Sequence, residues 1–387
     1  MPRRLTLHIG SHKTGTTSIQ RFMQANGAEL ATRGMAYVSG RNSSVSEFVG
    51  PEETGFLPQG CRLRNEIEFY ALLDAAPSDH IVASSESFSY FFHPGPIEAL
   101  ASGLAQRVDE VRVLVYLRRQ DRHVVSHHQE GAKPHAFGPA RSLWGNGLGA
   151  LPAPDPRHAL YIDYDHRLGL WADVFGSAAI QARVFDRDSL HHGDVVQDAL
   201  HALGVAPEGL APIPDQNTSL GARQAWLGHL MNGAGASASA IGQVLRAMEG
   251  GPRSLPARAE AEAFYAPWRE GNQRLNKRFG INARPDLFND DFSDYPESAT
   301  PVWDLAAAEA VLGELLRHGT LQGFSADDLR DAATSVRKTN PELALRFAKA
   351  ALALRPSGKG IQSLVQSLDG SPTAKSPRGT GPNRSQG

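Results

Sequence analysis

The chain has 387 residues, of which 41% are hydrophobic, and a formal net charge of −2. This length allows one large domain with an appendage or two domains, and the near-neutral charge excludes a general attraction to nucleic acid or anionic membranes. The single cysteine, Cys61, excludes a disulfide framework or a cysteine-based zinc cluster within one chain. The start lacks a signal-peptide core, and no stretch approaches the roughly 18 apolar residues of a membrane span. We therefore expect a soluble, cytoplasmic protein without a transmembrane segment or nucleic-acid partner.

The predicted elements alternate between apolar runs and helical patterns. Leu5 to Ile9 reads as a buried parallel strand, and Thr16 to Arg33 as a helix ended by Gly34. Further strands are predicted at 81–83, 111–117 and 180–185, with helices at 65–75, 97–108, 122–130 and 194–203. This alternation predicts an α/β fold with a parallel central sheet flanked by helices, and it places ligands at the carboxyl ends of the strands.

The segments outside this core differ in composition. Residues 131–157 are rich in Gly, Pro, His and Arg, which predicts a functional cover or a disordered loop, and 233–256 surround one helical piece. Residues 327–368 are similar to a single tetratricopeptide-type helical hairpin, which has to pack on the main domain or on a partner protein. We predict an α/β domain over 1–300, a helical extension over 301–369 and a disordered tail over 370–387.

The first strand leads into the segment HIGSHKTGTTSIQ, His8 to Gln20. Its glycines have the spacing of the nucleotide-binding pattern G-x-x-x-x-G-K-[ST], but Thr16 occupies the lysine position and the lysine lies inside the loop at Lys13. A strand-to-helix turn presents backbone N–H groups and the positive end of the helix dipole to an anion. The segment therefore predicts a phosphate or sulfate site.

A second segment, VYLRRQDRHVVSHHQE, supports an anion site at the same sheet edge. Arg118 ends a strand, and Ser126 lies eight residues later, one or two turns into the next helix. Both side chains could then reach one phosphate, whereas either residue alone would be an ordinary surface group.

These two segments, together with VFDRDSLHHGDVVQDALHALGV, resemble the sulfotransferases that use 3′-phosphoadenosine 5′-phosphosulfate (PAPS). The first resembles their P/H-K-[ST]-G-[ST]-[ST] loop, and the second their R-N-P-x-D-x-x-x-S motif with the Arg-to-Ser spacing intact. The third resembles a strand-loop-helix segment of the type R-Y-E-D-L…F-L-G. The resemblance covers about residues 5–230 and is nearest to bacterial sulfotransferase-like proteins. It implies a P-loop-type sulfotransferase fold and PAPS as donor, with no metal expected.

The resemblance also implies roles for single residues. Lys13 would contact the phosphosulfate and stabilise the leaving phosphate, while Arg118 and Ser126 would bind the 3′-phosphate that distinguishes this donor from ATP. The residues implied to hold the 5′-phosphosulfate are His12, Lys13, Thr14, Gly15, Thr16, Thr17 and Ser18. The family motif R-K-G-x-x-G-D-W is absent, which leaves the adenine side open, with Arg183, Arg187 and Arg223 as basic candidates.

A general base must accept the proton of the acceptor. Glu86 directly follows the strand at 81–83, at the edge that carries the anion loop, and is the favoured catalytic carboxylate, although it could equally cap the next helix. The alternatives are Glu47 and the histidines His12, His123 and His127. The neighbouring aromatic residues could line an acceptor cleft, but a core position is favoured for Phe88, Tyr90, Phe91 and Phe92.

The acceptor stays open between a small molecule, a saccharide and a lipid, with its hydroxyl or amine as the sulfated group. Two other functions fit parts of the pattern. One is a non-catalytic sulfotransferase-like protein that contacts a partner through the C-terminal hairpin. The other is an ATP-dependent kinase with a divergent loop, against which Thr16 at the lysine position argues.

Overall fold

The computed structural model describes residues 2–53, 56–134, 139–214, 219–248, 250–301 and 325–369. The chain divides into two compact units, one formed by Met1–Gly242 with Gly250–Val302 and one by Gln243–Glu249 with Trp303–Gly387. The predicted disordered tail lies outside the described residues, and so do most residues next to the boundary predicted near 300. Those domain limits stay predictions.

A parallel five-stranded sheet forms the centre of the first unit. Its strands are β1 (Arg4–His8), β2 (Met35–Val38), β5 (His80–Ser84), β6 (Glu110–Leu117) and β7 (Ile180–Val184), in the order β2-β5-β1-β6-β7. Strands β3 (Val49–Glu53) and β4 (Phe56–Leu63) pair as a separate antiparallel hairpin. The predicted α/β fold with a parallel central sheet is confirmed. Because the strand order changes direction beside β1, the loops after β1 and β6 flank the crevice where such sheets bind ligands.

Helices cover the sheet and complete the first unit. They are α1 (Thr16–Ala25), α2 (Gly27–Thr32), α3 (Glu66–Asp74), α4 (Pro94–Leu104), α5 (Gln120–Glu130), α6 (Pro139–Trp144), α7 (Ala159–Ile162), α8 (Tyr164–Phe175), α9 (Val195–Leu203), α10 (Ala222–Gly233), α11 (Ala238–Ala247), which ends in the second unit, α12 (Arg258–Tyr265) and α13 (Arg269–Phe279). Among the described residues, no helix is both long and apolar enough to span a membrane.

The single helix predicted over Thr16 to Arg33 is wrong, because the chain breaks between α1 and α2 at Asn26. The Asn26 side-chain amide donates to the carbonyls of Phe22 and Ala211 and accepts from the Ala211 N–H. Asparagine competes with the helix for backbone hydrogen bonds in this way. The apolar spacing continues across the break and therefore conceals it.

Disorder, one of the two alternatives predicted for 131–157, is wrong for the part that the structure describes, whereas the functional cover stays a prediction. Helix α6 lies within it, and Leu143, Trp144 and Ala150 are buried. A helix of this length is too short to show a periodic pattern, so the glycines and prolines around it dominated the prediction.

Two apolar layers lie on the two faces of the sheet. One includes Leu5 and Leu7 of β1 and Cys61 of β4, all buried, and the other includes Phe22 and Tyr116. The aromatic patch after β5 belongs to the first layer, since its four residues are between 0% and 6% exposed. The core position favoured for this patch is thus confirmed.

Within its described residues 325–369, the second unit contains three helices, α14 (Ala326–Val336), α15 (Pro341–Leu354) and α16 (Lys359–Leu368). Ser325 begins α14 in a capping box with Asp328, and the Asn340 side chain caps α15 ahead of Pro341. A small cluster that includes Leu329 holds the helices together. The helices predicted for this region are present.

Candidate functional site

Two glycines shape the loop between β1 and α1. Gly10 has a φ of 93°, and a Cβ there would lie 3.0 Å from the Glu86 Cα. Gly15 has a φ of 78°, and a Cβ there would lie 2.7 Å from Val195 Cγ1. Both positions therefore require glycine for backbone conformation and for space. Gly10 brings the loop against Glu86, and Gly15 brings it against the start of α9.

The loop uses some of its hydroxyl groups internally. The side chains of Thr14 and Thr16 are buried and donate to the Ser11 carbonyl at 2.6 and 3.1 Å. Thr17 is exposed and Ser18 is partly buried. The N–H groups of the first turn of α1 have no partner within the helix. The hydroxyls predicted at positions 14 and 16 thus stabilise the loop, whereas the backbone amides at the start of α1 can donate to an anion.

Lys13 forms an ion pair in this structure. Its backbone has a φ of 60°, and its Nζ lies 3.0 Å from Glu130 Oε2, at the end of α5. Lys133 Nζ lies 2.9 Å from the same oxygen. The charge predicted to act on the donor is therefore paired with a carboxylate that a second lysine shares.

Arg118 joins the two predicted halves of the site. It follows β6, and its Nη1 donates to the Lys13 carbonyl at 3.3 Å. Burial lowers the pKa of the Arg118 guanidinium, and no carboxylate of a described residue lies within ion-pairing distance of it. The predicted approach of the Lys13 loop to Arg118 is therefore present in the structure.

A cavity of about 510 Å³, the large cavity, opens beside the loop. Its walls include Gly15 and Ser18 from the loop, Arg118 and Phe185 at the ends of two strands, and Arg284. This volume lies within the usual range of small-molecule sites. The large cavity therefore begins at the anion loop and has room for a nucleoside.

A second cavity of about 100 Å³, the small cavity, shares Arg118 with the first. Ser126 lines it, so the predicted Arg118 and Ser126 pair faces one space. The small cavity is also lined by Arg122, Ser219 and Arg253, and by Asp294, whose carboxylate lies 3.0 Å from Arg122 Nη2. Three guanidinium groups and two hydroxyls are the donors that bind a phosphate.

Arg253 and Ser219 escaped the sequence analysis. Both lie in segments that show no periodic pattern. The sequence offered one signal for Arg253, its position after two glycines and a proline, and none for Ser219. Their position beside Arg118 depends on contacts between segments more than 90 residues apart in the chain, which spacing alone does not reveal.

The three basic candidates for the adenine side fall in different places. Arg183 pairs with buried Asp198, which also accepts from Tyr116, and it does not line the large cavity. Arg187 lines the large cavity, whereas Arg223 is exposed and lines neither cavity. The far wall comes instead from the segment that carries Arg284, Phe288 and Asn289.

Glu86 begins a short 3-10 helix directly after β5. Gln20 Nε2 donates to Glu86 Oε2 at 3.0 Å, and Ser85, not Glu86, caps the helix by accepting from the Ser87 N–H. The capping role considered for Glu86 is therefore wrong. The alternative carboxylate, Glu47, is exposed and accepts from the Arg41 N–H at 3.1 Å.

The candidate histidines lie in one aromatic cluster, and burial lowers the pKa of all three, His12, His123 and His127. Trp144 Nε1 can only donate, so His127 Nδ1, at 3.1 Å, is an acceptor. His127 Nε2 lies 3.2 Å from the Tyr90 hydroxyl. The lone pair of neutral His127 is thus already used, which argues against His127 as a base.

No family model matches the chain, and no curated protein matches it. Among solved structures, it is similar to a sulfotransferase from Alicyclobacillus acidocaldarius, with 18% identity and a TM-score of 0.41 over 73% of this chain and 97% of that one. At this identity and TM-score the likeness leaves the chemistry to be argued from the site residues.

Proposed function

We propose that this protein is a PAPS-dependent sulfotransferase. The observation that carries the proposal is that Arg118 lines two cavities at once. The large cavity starts at an anion loop and has the size for a nucleoside, and the small cavity gathers guanidinium and hydroxyl groups. A nucleoside with phosphates at two separated positions matches this arrangement better than a linear triphosphate does.

Different residues would bind the two ends of the donor. The loop amides and Ser18 would hold the 5′-phosphosulfate, and Arg118, Ser126, Arg122 and Arg253 the 3′-phosphate. These arginines supply the positive charge that a metal ion gives at triphosphate sites, so the proposal includes no metal.

Bound PAPS supplies the sulfuryl group. Lys13 would leave Glu130 and stabilise the charge that develops on the departing phosphate. Glu86 would accept the proton of the acceptor hydroxyl or amine, because it lies against the loop at Gly10 and the imidazoles of His123 and His127 are buried. Positioning and electrostatic stabilisation supply most of the rate in this class of transfer. The acceptor is a small molecule, a saccharide or a lipid.

The test is calorimetric titration with adenosine 3′,5′-bisphosphate and with AMP. We expect the bisphosphate to bind at least about tenfold more tightly, because a charge-assisted hydrogen bond contributes about 1.5 kcal/mol or more. Arg118→Ala and Ser126→Ala should remove most of this preference. Arg223→Ala is the matched control, since Arg223 lines neither cavity.

Equal affinity for the two nucleotides would overturn the assignment. Absence of binding to both would favour a non-catalytic protein, and magnesium-dependent ATP turnover would favour the kinase alternative.

A further inference from the structure

We propose that Tyr161, Tyr164 and Arg167, here called the scaffold triplet, are positioning residues that hold the two halves of the donor site in register. The inference rests on the proposed function. The three residues follow one another at intervals of three along α7 and α8, and all are 0–1% exposed. None lines the large or the small cavity.

Tyr161 binds the loop after β1. Its hydroxyl oxygen accepts from the His12 backbone N–H at 3.2 Å and lies 2.9 Å from His12 Nδ1. One hydroxyl thus fixes both the backbone and the side chain of the residue that precedes Lys13.

Tyr164 binds the end of β6. Its hydroxyl donates to the Arg118 carbonyl at 2.7 Å and lies 2.6 Å from His123 Nδ1. Because the only hydroxyl proton goes to the carbonyl, His123 Nδ1 must be the donor in the second bond. Tyr164 therefore fixes the backbone from which the Arg118 guanidinium extends.

Arg167 connects these two contacts. Its Nη2 donates to Ser11 Oγ at 2.7 Å, and its Cζ lies 5.1 Å from the ring centroids of both Tyr161 and Tyr164. Its Nε and Nη1 are buried and have no hydrogen-bond partner among the described residues. A buried guanidinium normally has a carboxylate partner, whereas this one is held by two aromatic rings and one loop hydroxyl.

The triplet is anchored from behind, because α8 packs against α4 and α13. In front, it touches Ser11 and His12 on one side and Arg118 on the other, two segments more than 100 residues apart in sequence. The separation between the contacts for the 5′ and 3′ ends of the donor is thus set by two consecutive helices, α7 and α8, which the Arg167 guanidinium links through both tyrosine rings. Precise spacing matters because a misplacement of about 1 Å can reduce a rate about 100-fold.

The test uses the full-length protein and two probes, adenosine 3′,5′-bisphosphate and AMP. Tyr164→Phe removes only the hydroxyl that fixes Arg118, so the bisphosphate should bind about three- to tenfold more weakly while AMP binding changes less than about twofold. Tyr161→Phe loosens the loop that both probes contact, so both affinities should fall by a similar factor. Arg167→Met should also weaken both.

Tyr116→Phe is the matched control. It removes a buried tyrosine hydroxyl that donates to Asp198 at 2.8 Å and touches neither half of the donor site, so the preference between the probes should not change. The inference is overturned if Tyr164→Phe weakens both probes equally, or lowers only the melting temperature. A wild-type protein without preference for the bisphosphate would instead refute the proposed function, and the inference with it.

Discussion

Lys13 is paired with Glu130, so binding of the proposed donor has to exchange one partner of this lysine for another. The pair is partly exposed, with side-chain exposures of 31% and 25%, and such pairs contribute little to stability. The loss of the pair therefore opposes donor binding only weakly. The larger effect of the intact pair is to keep the Lys13 ammonium group at α5, away from the large cavity.

Glu130→Gln should increase the affinity for adenosine 3′,5′-bisphosphate by about two- to fivefold. The amide no longer competes for Lys13, and a pair of this exposure contributes up to about 1 kcal/mol. Titration calorimetry measures the change, with Glu29→Gln, which breaks the exposed pair with Arg33 on α2, as the control. Weaker binding of the bisphosphate by Glu130→Gln would show that Glu130 supports the donor site instead of competing with it.

The spacing of residues in the sequence was sufficient to predict the position of a site residue where that residue lies at a strand end or in the first turns of a helix. It placed Lys13 and Ser126 relative to their own elements, and the parallel sheet then brought Lys13 and Arg118 together. It could not find Tyr161 or Arg253, because their positions depend on tertiary contacts between distant segments. It also could not show that the hydroxyl of Thr16 turns inward, since that depends on the loop conformation.

The segment that carries Arg284, Phe288 and Asn289 forms one wall of the large cavity. It contacts a buried ion pair at the start of α5. Arg119 Nε lies 2.8 Å from Asp121 Oδ1, and both side chains are almost fully buried. The Arg119 guanidinium also donates to the Asp291 carbonyl at 2.7 Å and lies 3.7 Å from the Phe292 ring centroid, while the Tyr295 hydroxyl donates to Asp121 at 2.7 Å. Asp121 therefore stabilises this wall of the site.

Tyr295→Phe should lower the free energy of unfolding by about 1.5–3 kcal/mol, because it removes a buried hydrogen bond to a charged acceptor. Urea denaturation measures the change. Asp294→Asn is the control, since the Asp294 carboxylate is 75% exposed in its pair with Arg122, and it should change stability by less than about 0.5 kcal/mol. A similar small change in both variants would mean that the Arg119 contacts with Asp291 and Phe292 anchor the segment without the Tyr295 hydrogen bond.

At the level of elements, the sequence predicted the strands and helices that are long and have a fully buried face. The predicted strands and most helices appear at nearly the predicted positions because their apolar runs face the core. Strand β2 and the β3–β4 hairpin were missed, since a four-residue edge strand and a glycine- and proline-containing hairpin lack a clear period.

For the whole molecule, stability depends on histidines that are buried without charge. Burial lowers the pKa of both His8 and His128 to about 4, compared with about 6.5 for an exposed imidazole. Between these values the unfolded chain binds more protons than the native one, so stability falls as the pH falls. The stabilisation is complete above about pH 6.5 and is lost progressively towards pH 4.

We expect the free energy of unfolding to decrease by about 1.5 kcal/mol per such histidine between pH 6.5 and pH 5, since a full proton difference corresponds to 1.36 kcal/mol per pH unit and is reached only below pH 6.5. Urea denaturation at several pH values measures this slope. His128→Gln should reduce the pH dependence of the free energy of unfolding by the contribution of one proton. An unchanged slope in His128→Gln would mean that His128 takes up its proton in the folded state.

The burial of Cys61 has a practical consequence for labelling the protein. It is the only cysteine, it is 3% exposed, and burial raises the pKa of its thiol to about 12, so it stays protonated and shielded from alkylating reagents. A cysteine introduced on the surface would then be the one group that a maleimide dye modifies in the native fold. Fluorescent reporters can be attached near the anion loop without first engineering a thiol-free background.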